Sequence, residues 1–376
     1  MAGWVDRFGI EITCYDKTYQ RTGWIGDPTR LSVTPRHNAV GTATITVPAT
    51  HAKLGLLTAR GARVVITRDG EHLFSGPMTG LSAQGPAIQG QFEITFEDDI
   101  RLLWRLLGWP VPGAAINAQG VKEDTRTGPA ETVVKGFLSA NVARLPGLPV
   151  TVVPTQGRGA TITAASRMAQ LADKLAQAVD DAGVGLRVRQ VGTRLEADCY
   201  QPQTYPRTLS EAGGTITAWS YSTAAPTATR TIVGGPNENT SREFRLVTDP
   251  ELEAEWGPDH VSEVFTDART AEGNAAMDEA GKSTLLGAGP TAGFSLTLSE
   301  TPVFRYGGAG VHVGDRVTVD VGGAVLSDVL REAPLEWSRE DGLTVRPVVG
   351  VENKPDRKLV AVLLGLTRSV RDLKTR

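Results

Sequence analysis

Apolar and polar residues alternate along stretch after stretch of this chain, between turns built on glycine, and this pattern limits its folds more than any other feature. Phe8, Ile10, Ile12 and Cys14 fall on one face, with Gly9, Glu11, Thr13 and Tyr15 between them. Ala43, Ile45 and Val47 alternate with threonines up to Pro48, and Phe92, Ile94 and Phe96 alternate with Glu93, Thr95 and Glu97. Each run predicts a half-buried antiparallel strand. Residues 63–68 and 71–75 flank Asp69-Gly70, the pair that a type I′ hairpin turn favours. With 42 Gly and 22 Pro among 376 residues, the chain is richer in turn formers than an average protein.

The alternation gives way to helical spacing at Asp98, a candidate N-cap, with Ile100, Leu103, Trp104 and Leu107 on one face. Gly108, Pro110 and Pro112 stop that helix and close a first β-rich domain over 1–112. Pro129 suits a first helical turn, and Val134, Phe137, Leu138 and Val142 follow at helical spacing. A second helix is predicted from about Ala164 to Asp181, with Met168, Leu171, Leu175 and Val179 on its face and Gly183 as C-cap. A hairpin around Gly192 completes an α/β module over 113–200.

Strand character returns at 215–221 and 229–233, then yields to an acidic, helix-leaning insertion over 246–289. Between Asp249 and Glu279, ten acidic residues face a single basic one, Arg269. Phe294, Leu296 and Leu298 alternate again, as do Val317, Val319 and Val321, and Gly322-Gly323 and Asp341-Gly342 mark hairpins. These segments predict a second β-domain over 201–245 and 290–355, followed by a basic C-terminal segment over 356–376. One repeat is visible. Gly61 to Gly70 lines up with Gly314 to Gly323, so Val64 and Ile66 should occupy core positions equivalent to Val317 and Val319, with Arg63 and Arg316 on the opposite faces.

The 39 Lys and Arg nearly balance 42 Asp and Glu, which excludes a globally basic nucleic-acid binder and an acidic disordered chain. Cys14 and Cys199 match no metal or redox spacing and read as small core residues. The N-terminus lacks an apolar secretory core, and the longest apolar run, Leu359 to Leu366, is far shorter than a membrane helix. No membrane insertion is expected.

Ala276 to Ser283 (AMDEAGKS) fits a relaxed phosphate-loop pattern that would place Lys282 on a nucleotide. No apolar strand precedes it, and Asp278 and Glu279 would repel phosphate, so a helix ending at Gly281 explains it better. Tyr306 to Gly310 resembles a dinucleotide glycine loop but precedes a strand instead of following one. Asp98 and Asp99 offer paired carboxylates, which a helix start also explains. The acidic stretch lacks the glycine of a calcium loop and reads as a solvated face. His37, His51, His72, His260 and His312 are scattered without ligand spacing, and no Gly-x-Ser-x-Gly elbow occurs. The residues name no catalytic, cofactor-binding or metal site, and no enzyme.

Three segments together carry a family resemblance: 61–76 (GARVVI through LFSG), 96–112 (FEDDIRLL through WPVP), and 306–350 with its YG, GDRVTV and DVLRE runs. In order and spacing they resemble the hub-type minor tail proteins at the tail tip of long-tailed phages. The resemblance implies a β-dominated α+β fold of two tube-type antiparallel β-barrels with inserted α/β modules. It implies a homotrimer continuing and closing the tail tube in the virion, assembled in the host cytoplasm. The partners it implies are the distal tail protein, the tape-measure protein and receptor-binding or other tail-tip proteins, with no stable nucleic-acid binding beyond DNA passage. A tail-associated cell-wall-binding or hydrolytic protein is the competing reading, and a nucleotide-binding protein the weaker one.

Overall fold

The computed structural model describes residues 8–355 apart from 87, 272, 299, 301–304 and 309, so the basic 356–376 segment lies outside the described residues. The chain opens with β1 (Ile10–Tyr15), β2 (Arg21–Ile25), β3 (Arg30–Thr34), β4 (Thr42–Pro48) and the short helix α1 (Leu54–Thr58). Next come β5 (Arg63–Arg68), β6 (Glu71–Gln84), β7 (Gln91–Glu97), α2 (Ile100–Trp104) and β8 (Leu107–Gly108). The middle holds β9 (Asp124–Pro129), α3 (Ala130–Ala143), β10 (Val150–Val152), β11 (Thr161–Ser166), β12 (Ala169–Gln170), α4 (Leu171–Asp181), β13 (Gly185–Val191) and β14 (Arg194–Tyr200). Then follow β15 (Thr204–Ser210), β16 (Ile216–Ala224), β17 (Arg230–Gly234), β18 (Phe244–Thr248), α5 (Pro250–Trp256), β19 (Glu263–Asp267) and α6 (Asn274–Gly287). The last strands are β20 (Thr291–Leu298), β21 (Arg316–Val321), β22 (Ala324–Glu332), β23 (Leu335–Ser338), β24 (Gly342–Val345) and β25 (Val348–Pro355).

The chain divides into two units. The first comprises 1–207, 297–317 and 329–347, and the second 208–296, 318–328 and 348–376. In the first, strands run β24-β23-β3-β4-β7-β6-β5-β1-β2 in an antiparallel sheet. The long strand β6 bends it, pairing with β5 up to Pro77 and with β7 from Met78. Gly76 permits the bend, because a Cβ there would collide with the Glu97 carbonyl. The sheet curls around one core in which Ile12, Cys14, Ile45, Val64, Ile66, Phe74, Ile94 and Phe96 are buried, as the alternation requires. Its ladder stays open at β2, and no closed barrel occurs among the described residues. The predicted hairpin is present, with Asp69 and Gly70 both at positive φ.

The α/β module of the first unit packs α3 and α4 over the β10-β14-β13 sheet and the β11-β9 pair. Two helical expectations need correction. Residues Ala164–Ser166 belong to β11, and Met168 sits at positive φ before α4 begins at Leu171. Ala164 to Ser166 carries no helical apolar face, and pairing with β9 decides its state. Leu107 likewise leaves the α2 face for β8, where it is 41% exposed.

The second unit contains the strand order β21-β22-β25-β20, with β16 against β20. It also holds a separate sheet, β18-β17-β19, whose β17–β19 pairing is parallel. The 246–289 stretch is therefore not purely helical. Its strand β19 hides in acidic sequence and takes its partner from β17. Helix α6 packs against this sheet through Val233, Val247, Met277 and Ala280. Val319 and Val321 are buried, as are Phe294 and Leu296.

Candidate functional site

Five stretches of the first unit surround a cleft of about 650 Å³. They are the loop after β3, the start of β6, the β7–α2 junction, strand β13, and residues 200–206 with 306–315. Behind it, buried polar groups fix the walls. Arg63 Nη2 donates to both Asp99 oxygens, at 2.7 and 2.8 Å, and Ser75 Oγ donates to Asp99 Oδ2 at 2.7 Å. The Arg63 guanidinium also lies over the Tyr19 ring, 4.3 Å from its centroid. Arg63, Ser75 and Asp99 are almost wholly buried. Burial pushes the Asp99 carboxyl up, and Arg63 pulls it back down. At the other end, Asn38 Nδ2 donates to Asp180 Oδ1 at 2.6 Å and to the Val184 carbonyl at 2.9 Å. Asp180 also pairs with Arg331 at 2.5 Å.

Asp98 and Asp99 therefore do different things. Asp99 is consumed by Arg63 and Ser75. Asp98 lines the cleft, and its Oδ1 accepts the Ile100 amide at 2.8 Å, while the N-cap position expected of it falls one residue later, at Asp99. Burial, with Asp99 adding repulsion, pushes the Asp98 carboxyl up to about 7, against the Ile100 hydrogen bond. They do not form a matched acid–base pair.

The histidines scatter as their spacing implied. His37 lies 2.7 Å from the Tyr200 hydroxyl and 3.3 Å from Asp180, and His51 lies 2.9 Å from Asp27. His260 packs edge-on against Trp256. His312 lies between Glu71 and Asp315, which raise its pKa. His72 differs. Its Nε2 is buried without a partner, and burial, with Arg189 and Arg187 nearby, lowers its pKa to about 4. Among the described residues no group of three or more His, Cys, Asp or Glu could hold a metal ion. Cys14 and Cys199 are free and buried, their thiols pushed up to about 12 by burial.

The phosphate-loop candidate lies wholly inside α6, which runs through Gly281 to Gly287. Gly281 is thus no helix end. It is there because a Cβ would strike Val247 and Val233 of the sheet beneath. Asp278 is taken by Arg245, at 2.6 and 2.8 Å. Nor is the acidic stretch simply solvated. Glu253 holds Arg230, Asp267 holds Arg242 and Asp249 caps α5. In the 306–310 segment, Gly307 and Gly310 make ordinary turn bonds, and the Gly308 amide donates to Glu71 Oε2 at 2.9 Å. The sequence singled out Asp98 and the 306–310 loop separately, but nothing in it marked the cleft they share, because its walls come from stretches far apart in the chain.

One further surface stands out. On the β18-β17-β19 sheet, the face away from α6 leaves Phe244 58%, Leu246 58% and Phe265 52% exposed. Arg242 stacks on both phenylalanine rings. Among the described residues, no helix is long and apolar enough to cross a membrane.

Solved structures similar to this chain include two tail proteins. The 43 kDa tail protein of prophage MuSo2 from Shewanella oneidensis is 13% identical, with 90% of this chain and 98% of that one covered at a TM-score of 0.53. A tail protein from Neisseria meningitidis is also 13% identical, with 91% and 96% covered at 0.53. At such identity the likeness concerns the fold, a β-dominated phage tail-protein fold. No curated protein matches the chain. The family model described as Siphovirus ReqiPepy6 Gp37-like protein matches residues 11–351, and the chain belongs to that family.

Proposed function

We propose that this chain is a structural, non-enzymatic component of the phage virion, the hub of the tail tip or baseplate. The observation that carries the reading is the fold shared along nearly the whole chain with proteins described as tail proteins. In this reading a homotrimer presents two β-sheet segments per copy, giving six that continue the tail tube and close it toward the tip. The segments are the 1–112 domain and the second β-domain over 201–245 and 290–355. The 113–200 module and the 246–289 insertion stand outside the tube. Those partners are the distal tail protein, the tape-measure protein and receptor-binding components, joined in the host cytoplasm. The exposed apolar face of β17 to β19 supports this reading, because apolar patches of that kind mark protein contacts. Light scattering on the purified chain tests it: a mass of three chains is expected, and a monomer at every concentration contradicts it.

The alternative of a tail-associated cell-wall-binding protein rests on the same exposed phenylalanines, since aromatic faces also stack on sugars. Isothermal titration with soluble cell-wall fragments separates the two. The hub reading expects no heat, and saturable heat lost in Phe265→Ala would favour the alternative.

A further inference from the structure

The cleft of the first unit holds binding groups without a partner among the described residues. Strand β13 is an edge of its sheet. The Leu186 amide donates to Asn38 Oδ1 at 2.7 Å and the Gln190 amide to Ser75 Oγ at 3.2 Å, so alternate peptide groups point away from β14. Val188 lies between these two, with its side chain in the core. What Val188 shows the cleft is therefore its peptide, and its outward N–H and C=O have no partner among the described residues. Beside it, β6 brings His72, whose Nε2 is buried and unbonded. The neutral His72 ring therefore offers Nε2 to a hydrogen-bonding partner. Arg189 is half-buried and makes no ion pair among the described residues. The neighbouring Arg187 has Asp198 at 3.4 Å.

These groups have one combined requirement. A bare strand N–H and C=O ask for a backbone amide, an unpaired imidazole nitrogen asks for a hydrogen-bonding group, and an unpaired guanidinium asks for a carboxylate. We propose that the cleft binds an acidic peptide segment of another polypeptide, laid along the β13 edge with a carboxylate on Arg189. Nucleic acid fits less well, because a sugar–phosphate backbone offers no amide N–H and C=O pair to a strand edge. The inference stands on the cleft alone and goes beyond the tail-tip reading.

Fluorescence anisotropy of the full chain tests it with a labelled peptide alternating Glu and Val, its Gln-for-Glu counterpart, and inorganic phosphate as competitor. The acidic peptide is expected to bind at least tenfold more tightly than the neutral one. Arg189→Gln should weaken the acidic peptide about tenfold, the size of one charge-assisted hydrogen bond, and leave the neutral peptide unchanged. Should Arg189→Gln not fold, Arg189→Lys, which keeps the charge and loses the planar fork, should weaken binding less than tenfold. Equal affinity for both peptides, no binding, or no effect of either substitution would overturn the proposal. So would displacement by millimolar phosphate, which would mark a simple anion site. A monomeric chain that still binds the acidic peptide would sink the trimer and leave this inference standing.

Discussion

Two arginine–aspartate pairs, one in each unit, look alike on paper and are set in opposite surroundings. In the second unit Arg245 grips Asp278 with a two-nitrogen fork, at 2.6 and 2.8 Å, with both side chains about one-third exposed. In the first, one nitrogen of Arg63 reaches both oxygens of Asp99, a poorer geometry, with both side chains almost fully buried. Geometry favours the first of these pairs and burial the second. Water screens and replaces an exposed pair, whereas a buried charge that loses its partner has nothing to turn to. The pair with the weaker geometry should therefore matter far more.

Asp99→Ala, which strands Arg63 and removes the acceptor of Ser75, should lower the unfolding free energy by about 3–5 kcal/mol in urea titration. Asp98, one residue away, sharpens the contrast because its carboxyl is not paired with a cation. Its folded pKa of about 7 lies above the unfolded value, so its contribution is fully present below about pH 4 and fades as pH rises through about 7. Asp98→Asn, which keeps the acceptor for Ile100, should leave stability unchanged at pH 4 and raise it by up to about 4 kcal/mol at pH 8. Equal gains at both pH values would show that burial does not shift this carboxyl. Asp278→Ala should give an unfolding midpoint indistinguishable from the parent. A loss matching that of Asp99→Ala would break the comparison outright.

The same contrast explains what could be read from the chain alone. Period-two alternation places Ile12, Ile45, Val64, Ile94 and Val319 in cores, because each side chain's facing is a local property of its strand. Strand β19 escapes such reading. Glu263, Thr266 and Asp267 look solvated, and only the parallel pairing with β17 makes the segment a strand. Gly281 reads as a helix end for the same reason, since nothing near it in sequence tells of Val233 and Val247 pressing on it. The cleft was the least legible part. His72, Val188 and Arg189 lie on strands far apart in sequence, and the bonds they lack become visible only when the strands meet. The bend of β6 at Gly76 is likewise a matter of tertiary contact with Glu97.

A cryo-electron microscopy reconstruction of the virion's tail end is the most direct test of the proposed place of this chain at the hub of the tail tip. Three copies around the tail axis are expected, with two β-sheet segments from each lining a six-fold tube. Tail-tip density that fits other proteins throughout, with this chain undetected in purified virions by mass spectrometry, would contradict it.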